Sequence, residues 1–273
     1  MKGIVKLGSM KSAFDHDGYV ICRSVLDAEL VREAGEHVDW LMARHPDLRP
    51  ENLHHQLVWK DAFWVRLLSD DRILDCVEQI IGPNMALFAS HYIAKPPEEG
   101  RAVLWHQDGS YWPIEPMEVV TAWLAINPAT VDNGCMHIIP GSHRMDLRGV
   151  QPRDDVPSVL KSEMPLEFVD ESQAVDILLE PGDISLHHPN IIHGSNANES
   201  DLWRKGLTMR YVPTTTRING DPDEVESILM RGEAVAGINR YSPKPRYVAG
   251  EHMPFRDACE WNETLDAAAE NTW

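Results

Sequence analysis

Trp105-His106-Gln107-Asp108 is the stretch that decides most about this chain, because it places an imidazole and a carboxylate two residues apart after an apolar segment. Residues i and i+2 of an extended strand point to the same side, so His106 and Asp108 can face a single point. Far downstream, the stretch 187–193 ends in His193 and supplies a second imidazole. Two histidines and one carboxylate on one face of a metal ion form the centre of non-haem Fe(II) oxygenases, which leaves other coordination positions open. On its own, His-x-Asp is weak evidence, since a surface turn with a chance histidine has the same pattern.

The composition indicates a globular chain with one large core. It has 273 residues, of which 43% are hydrophobic, a size that allows one or two domains. No apolar stretch is long enough to span a bilayer, and residues 1–6 are not followed by the apolar region of a signal peptide. The scattered cysteines are typical of reduced thiols. We therefore expect a cytoplasmic protein without disulfides. The cysteines are Cys22, Cys76, Cys135 and Cys259.

The charge balance argues against two classes of partner. The chain has 25 basic and 43 acidic residues, a formal net charge of −18. Nucleic-acid binding depends on clustered Lys and Arg, and anionic membrane surfaces also attract basic segments. We expect neither partner, and we attribute the acidic surface to solubility. A small-molecule substrate and a monomer or homodimer are expected.

The pattern of apolar residues predicts helices first and strands afterwards. Helical spacing covers 27–44, with Asp27 as a cap, and 62–81, ended by the turn at 82–84. A further helix is predicted to begin at Asp221. Short apolar runs separated by turns predict a mainly β sandwich or barrel, with the N-terminal helices packed on one face. The predicted strands are 19–22, 85–94, 103–106, 119–126, 136–139, 175–179, 184–188 and 206–212.

Two turn signals lie next to the candidate ligands. Asn133-Gly134 lies between two predicted strands and favours a tight hairpin with positive φ. Pro181-Gly182-Asp183 predicts a turn directly before the strand that carries His187 and His188. Both turns place candidate ligands at strand ends beside loops.

An ordered set of motifs gives the chain a family resemblance. Together the motifs resemble the phytanoyl-CoA dioxygenase family, whose members are Fe(II)- and 2-oxoglutarate-dependent oxygenases. The resemblance covers about residues 12–213. It implies a double-stranded β-helix (jelly-roll, cupin-like) core with N-terminal and peripheral helices, in a single domain spanning 1–273, with 214–273 as a C-terminal extension packed on the core. The motifs are Ala94-Lys95-Pro96-Pro97, Trp105-His106-Gln107-Asp108, Tyr111-Trp112, Thr121-Ala122-Trp123-Leu124-Ala125, Asn133-Gly134-Cys135-Met136, Ile139-Pro140-Gly141-Ser142-His143, Pro181-Gly182-Asp183 and His193-Gly194-Ser195 with Arg204.

The resemblance implies roles for single residues of the catalytic metal centre. His106, Asp108 and His193 match the iron ligands. Arg204 follows His193 by eleven positions, where the family has the arginine that holds the distal carboxylate of 2-oxoglutarate. A guanidinium suits that role because its rigid fork matches a carboxylate. The carboxylate of Asp108 favours hydroxylation, since halogenating relatives have a small residue there.

The co-substrate pocket leaves alternatives open. Ser195, Trp123 and Lys95 match positions that help to hold 2-oxoglutarate, but Trp123 is equally compatible with packing and Lys95 with a surface position. Arg210 competes with Arg204 for the role of binding 2-oxoglutarate. The two residues are an even number of positions apart on one predicted strand, so both are expected to face inward. Other nearby histidines are interpreted as unrelated to the metal: His137, His143, His187 and His188.

The substrate is expected to be a small polar molecule, hydroxylated by O2 while 2-oxoglutarate is converted to succinate. The predicted mouth has Tyr111, Trp112 and Trp59, with His91 as a further contact, but no cluster of Lys and Arg for the phosphates of coenzyme A. An acyl-CoA hydroxylase of the same family is the first alternative. A non-oxygenase metal-binding jelly roll, either a zinc or nickel hydrolase or isomerase or a non-catalytic binding protein, is the second.

Overall fold

The computed structural model describes residues 9–220 and 227–270, and most of the N-terminal part of this range is helical. The predicted helix start at Asp221 lies outside the described residues. No described helix combines the length and the apolar character needed to cross a membrane. The helices are α1 (Ser9–Asp17), α2 (Ala28–Arg44), α3 (His55–Val58), α4 (Ala62–Leu68), α5 (Asp71–Ile81) and α6 (Ala258–Glu270).

The described strands are β1 (Tyr19–Cys22), β2 (Met85–Lys95), β3 (Val103–His106), β4 (Ile114–Glu115), β5 (Val120–Ala125), β6 (Met136–Ile138), β7 (Gln151–Pro152), β8 (Ser162–Glu163), β9 (Val175–Ile177), β10 (Ile184–His187), β11 (His193–Ser195), β12 (Arg204–Pro213), β13 (Arg217–Ile218) and β14 (Ile228–Arg231). Eight of the described strands match the eight predicted ones, with ends that differ by two residues at most, while β4, β7, β8, β11, β13 and β14 were not predicted.

Local capping explains the helix boundaries. Asp27 accepts hydrogen bonds from the backbone of Glu29 and Leu30, so α2 begins where the sequence predicts. The predicted helical segment 62–81 is present, and it is divided into two helices. α4 ends at Leu68, and Asp70 caps a new helix by accepting a hydrogen bond from the backbone of Arg72.

Two antiparallel sheets form the jelly-roll core. The larger sheet has the strand order β1-β10-β5-β12-β2-β14, and the smaller has β3-β11-β6-β9. One face of the larger sheet packs against the helices through a continuous apolar cluster. Because successive side chains alternate between faces, the other residues of β2, β5, β10 and β12 face the smaller sheet and line a cavity between the two. The mainly β jelly-roll prediction is confirmed.

The Asn133-Gly134 turn differs from its prediction. Gly134 has φ +74°, as expected for such a turn, but β5 and β6 belong to different sheets. The segment is therefore a crossover between sheets and not a hairpin. The glycine is needed there for a second reason, since a Cβ would overlap the backbone carbonyl oxygens of Asn196 and Ala197. The predicted turn before β10 is present, with φ +87° at Gly182.

The C-terminal residues contact the same core as the N-terminal helices. Met253 and Trp261 are buried within the large apolar cluster, and Phe255 packs against it. The Trp261 indole nitrogen donates a hydrogen bond to the carbonyl of Pro245. These contacts place α6 against the helical side, on the opposite face of the large sheet from the cavity.

Candidate metal centre

Three side chains converge at one end of the cavity between the sheets. His106 is the last residue of β3, Asp108 begins the 3-10 turn Asp108–Tyr111, and His193 is the first residue of β11. One ligand atom from each lies within 4.8 Å of the others, and all three residues are buried. The described part of the chain contains no second group of this kind. The expected triad is thus brought together by two paired strands and the turn that follows one of them.

The two imidazoles of the triad are held in the tautomer that binds a metal. Nδ1 of His106 lies 2.8 Å from the carbonyl oxygen of Leu104, and Nδ1 of His193 lies 3.0 Å from that of Ile191. A carbonyl only accepts, so each Nδ1 carries the proton and each Nε2 has a free lone pair. Burial, together with the nearby His106, also holds the pKa of His193 well below its usual range, so this imidazole is neutral.

The carboxylate of Asp108 faces three side chains in one row of the large sheet. Thr121 lies opposite His187 on one side and Arg210 on the other. Thr121 donates a hydrogen bond of 3.2 Å to Oδ2, His187 Nε2 lies 3.6 Å from Oδ2, and Arg210 Nη2 lies 3.8 Å from Oδ1. Burial alone would raise the pKa of Asp108, but Arg210 and the neighbouring imidazoles outweigh it and hold the pKa well below its usual range.

His187 is the residue whose position the sequence interpretation missed. It lines the cavity with the triad, and its side chain is 2% exposed. Neither ring nitrogen has a hydrogen-bond partner among the described residues. His187 is not part of the triad, as the sequence interpretation expected, but that interpretation did not place it in the cavity beside the triad. In β10, Ile184 and Leu186 face the helices. Because side chains alternate along a strand, His187 faces the opposite side, toward the cavity, and this alternation is the sequence signal for its position.

The other three histidines interpreted as unrelated to the metal lie outside the cavity that holds the triad. The His188 ring lies 6.1 Å from that of Phe14 and 5.2 Å from that of His143, between the N-terminal helix and the loop after β6. Burial and the nearby His143 lower the pKa of His188 to about 4. The His137 ring lies 4.4 Å from that of Trp105, tilted by 40°. None of these three lines the cavity that holds the triad.

Arg204 forms the other end of this cavity. Its side chain is fully buried, and burial lowers the pKa of its guanidinium to about 10. It donates hydrogen bonds to the carbonyls of Gly134 and Ile93, while Nε has no partner among the described residues. Trp123 lies 5.3 Å from the guanidinium and fills the space over Gly206. Arg204 and Arg210 both line the cavity, as their shared parity predicts.

Lys95 lies behind the cavity wall. It is fully buried, so the alternative of a surface lysine is wrong. Its Nζ donates to the hydroxyl of Ser195 at 2.7 Å and to the carbonyl of Asn196. Burial and the charge of Arg204 hold the pKa of Lys95 well below its usual range. Ser195 lines the cavity. Lys95 therefore influences the cavity by holding the hydroxyl of Ser195 in place.

A second chamber opens on the outer side of Asp108, with a volume of about 450 Å³. All four residues expected at the mouth line this chamber, namely Trp59, His91, Tyr111 and Trp112. Asp108, His91 and Arg210 line both the chamber and the inner cavity, so the two spaces are joined at the triad.

The residues present fit a divalent metal and a dicarboxylate. Two imidazoles whose Nδ1 atoms donate to backbone carbonyls and one ionised carboxylate form a donor set for Fe(II) with open positions. The unpartnered Nε of the buried Arg204 fits an anionic group at the far end of the cavity. The metal donor set and the anion-binding nitrogen are both supplied by side chains of this chain.

Comparison with known proteins gives the family. The sequence model of the phytanoyl-CoA dioxygenase family matches residues 14–206. A probable phytanoyl-CoA dioxygenase from Caenorhabditis elegans is 34% identical over 151 residues, which are 51% of this chain and 47% of the relative. A probable alpha-ketoglutarate-dependent hypophosphite dioxygenase from Stutzerimonas stutzeri is 30% identical over 211 residues, 76% of this chain and 66% of the relative. The chain thus spans about half the length of several curated relatives that it matches.

A solved structure supports the fold. The apo form of the non-heme monooxygenase ThoJ superposes with a TM-score of 0.76 at 20% identity, covering 96% of this chain and 99% of the other. This similarity shows a shared jelly-roll architecture. Because the family match extends over most of the chain, including every residue of the triad, the chain belongs to the phytanoyl-CoA dioxygenase family.

Proposed function

We propose that this chain is an Fe(II)- and 2-oxoglutarate-dependent dioxygenase that hydroxylates a small polar molecule. One observation carries the proposal. Nε2 of His106, Nε2 of His193 and the carboxylate of Asp108 converge in a buried cavity whose other end is formed by Arg204. In a hydrolase or a binding protein with the same triad, the buried Arg204 would have no 2-oxoglutarate carboxylate to bind.

In this proposal, His106, Asp108 and His193 bind Fe(II). The backbone carbonyls of Leu104 and Ile191 keep each Nδ1 protonated and so direct each Nε2 to the metal. Thr121 holds Oδ2 of Asp108. When bound, the metal with 2-oxoglutarate and O2 supplies the oxidation of a substrate C–H bond, coupled to the conversion of 2-oxoglutarate to succinate and carbon dioxide.

Arg204 is proposed to bind the distal carboxylate of 2-oxoglutarate. It is favoured over Arg210 because Arg210 lies beside Asp108, at the metal end of the cavity. The hydroxyl of Ser195, oriented by Lys95, adds a hydrogen bond, and Trp123 closes the pocket over the guanidinium. A buried pair of this kind is strong because both partners are removed from water.

The substrate is proposed to be a small molecule that occupies the outer chamber. Its volume of about 450 Å³ lies in the range of small-molecule sites. The arginines near the mouth are engaged separately, Arg144 with the carbonyl of His16, Arg148 over the ring of Phe168, and Arg153 with Asp155 and Glu163. Arg101, Arg153 and Lys161 do line one surface cavity, but Asp154 and Asp155 line it as well, so most of its positive charge is balanced within the protein. The relative from Stutzerimonas stutzeri is named for a small substrate, hypophosphite.

Acyl-CoA hydroxylation is the second candidate, because the relative from Caenorhabditis elegans is described as a probable phytanoyl-CoA dioxygenase. The experiment is to load the protein with Fe(II) without oxygen, add 2-oxoglutarate and then admit oxygen. Succinate is expected with Fe(II), but not with Zn(II) or in Asp108→Ala. Failure of the Fe(II)-loaded protein to bind 2-oxoglutarate contradicts the oxygenase. A long-chain acyl-CoA that accelerates succinate formation and yields a hydroxyacyl-CoA contradicts only the small-molecule part.

A further inference from the structure

Arg210 has hydrogen-bonding capacity that the protein does not use. Its side chain is 14% exposed and lines the outer chamber beside the triad. Nη1 donates to the hydroxyl of Thr208 at 3.1 Å, and the buried Nε has no hydrogen-bond partner among the described residues. Nη2 lies 3.8 Å from Asp108 Oδ1, which is longer than a hydrogen bond. The guanidinium therefore has donors left for a ligand.

The orientation of Arg210 is fixed by its neighbours. Its position opposite Thr121 in the pairing of β12 with β5 places it on the inner face of the large sheet. The guanidinium carbon lies 5.2 Å from the ring of Trp112, which in turn packs edge-on against Phe88 at 5.1 Å. A cation held against an aromatic ring keeps a defined plane. Arg210 therefore presents a preorganised fork to the chamber.

Metal binding would change the charge balance around Arg210. Without a metal, the nearest negative charge is Asp108, which faces Arg210. When Asp108 binds a divalent cation, its charge is shared with that cation, and Arg210 then lies beside an additional positive charge. The distal carboxylate of 2-oxoglutarate is directed to Arg204 in the proposed function. A positive charge at Arg210 then remains to be compensated by the ligand that enters the chamber.

The chamber walls identify the rest of that ligand. Among the described residues that line it, Arg210 is the only Lys or Arg and Asp108 the only acid. Most of the remaining wall is aromatic or apolar. A ligand that fits such walls has one anionic group and an apolar remainder. The aromatic lining residues are Trp59, Phe88, Tyr111 and Trp112.

We propose that the substrate is a small organic anion whose carboxylate or phosphate-type group binds Arg210 while its apolar part contacts the aromatic wall. This inference rests on the proposed function and specifies the substrate class for the same site. Binding of the anion at Arg210 places the remainder of the molecule next to the open side of the triad, because both Arg210 and Asp108 line the chamber.

Fluorine NMR with matched probes tests the proposal without turnover. The protein is loaded with Zn(II) and saturated with 2-oxoglutarate, so that Arg204 is occupied. Two pairs of probes that differ in charge are then titrated, trifluoroacetate with trifluoroacetamide and 4-fluorobenzoate with 4-fluorobenzamide. We expect at least one anion to bind at least tenfold more tightly than its amide. With Co(II) in place of Zn(II), the bound anion should relax faster, since the chamber adjoins the metal.

Variants assign the preference to one residue. Arg210→Gln should bring the anion and the amide to within about twofold of each other, and Arg210→Lys should retain part of the preference. Arg101→Gln is the control, because it removes the same charge from outside the chamber, where Arg101 lines a separate surface cavity. Thermal unfolding of each variant verifies the fold.

The outcomes separate the two proposals. Equal binding of anion and amide, binding of neither anion, or an unchanged preference in Arg210→Gln overturns the inference. Failure of 2-oxoglutarate to bind the metal-loaded protein contradicts the proposed function instead, and the comparison of anion with amide still decides the role of Arg210.

Discussion

His193 lies directly opposite His106 in the antiparallel pairing of β11 with β3, and the centres of their rings are 4.1 Å apart. Two neighbouring strands of the smaller sheet therefore supply both imidazoles, and the turn after β3 adds Asp108. A shift of the pairing by one residue would turn one imidazole to the opposite face. The metal centre thus depends on strand register as much as on the identity of its residues.

Removal of any one triad side chain should abolish Fe(II) binding and leave the fold intact. His106→Ala, Asp108→Ala and His193→Ala each remove a ligand without removing part of the main apolar core. Iron content after anaerobic gel filtration measures the effect, and circular dichroism verifies the fold. His188→Ala is the matched control, because His188 packs against Phe14 outside the cavity. Greater loss of iron in His187→Ala than in the triad variants would contradict the assignment.

Arg204→Ala should raise the KM for 2-oxoglutarate at least a hundredfold. Loss of one partner of a buried charged pair costs about 3–5 kcal/mol, much of it from the charge left unpaired. Arg204→Lys should restore only part of the affinity, since an ammonium does not reproduce the fork. Steady-state kinetics at varied 2-oxoglutarate concentration gives the comparison. A larger rise in this KM for Arg210→Ala would transfer the role to Arg210.

Gly206→Ala should destabilise the protein by about 1–3 kcal/mol, the usual cost of overpacking. A Cβ at Gly206 would overlap the benzo part of the Trp123 indole. In a Trp123→Phe background that ring is shorter, and the cost should fall. A double-mutant cycle by urea unfolding measures the coupling. Gly149→Ala, at a position with no atom within 4 Å of the new Cβ, is the control. Equal costs in both backgrounds would show that the two residues do not interfere.

Asp61→Asn should reduce stability near pH 7 by about 1–3 kcal/mol, because a buried charge-assisted hydrogen bond is lost. Asp61 accepts from His37 Nε2 at 3.0 Å and from the backbone of Trp64 at 2.8 Å. Burial raises the pKa of Asp61, but these contacts, and first the charge of His37, outweigh it and lower the pKa.

The sign of the pH dependence follows from this lowered pKa. The stabilisation by Asp61 is present above the unfolded pKa of about 3.9 and is lost as the pH falls through the lower folded pKa. The difference between wild type and Asp61→Asn should therefore shrink as the pH is lowered below 4. Urea unfolding at several pH values measures it, and a difference independent of pH would contradict the assignment. Asp266→Asn, which disrupts an exposed pair with Arg246, is the control with little expected change.

Two of the three triad residues were predictable from a local signal. His106 ends β3 and Asp108 begins the next turn, but the extended Gln107 between them keeps their side chains on one side, and the resemblance to the family supplied His193. The same strand periodicity placed Arg204 and Arg210 on one face. The aromatic residues at the mouth were also predictable, since Tyr111 and Trp112 follow the triad turn directly.

Other features depend on contacts between distant segments and were missed. The role of Asn133-Gly134 as a crossover depends on which sheet each flanking strand joins. The burial of Lys95 depends on Ser195, a hundred residues away. The inward position of His187 depends on which face of β10 the helices cover. Periodicity limits such a residue to two faces, and packing chooses between them.

The most direct test of the account is the position of the metal. Crystals grown without oxygen in the presence of Fe(II) and 2-oxoglutarate, measured on both sides of the iron absorption edge, locate iron by its anomalous signal. We expect one iron peak within bonding distance of His106 Nε2, His193 Nε2 and Asp108, with the distal carboxylate of 2-oxoglutarate on Arg204. An iron peak away from these three side chains, or 2-oxoglutarate bound to Arg210 instead, would contradict it.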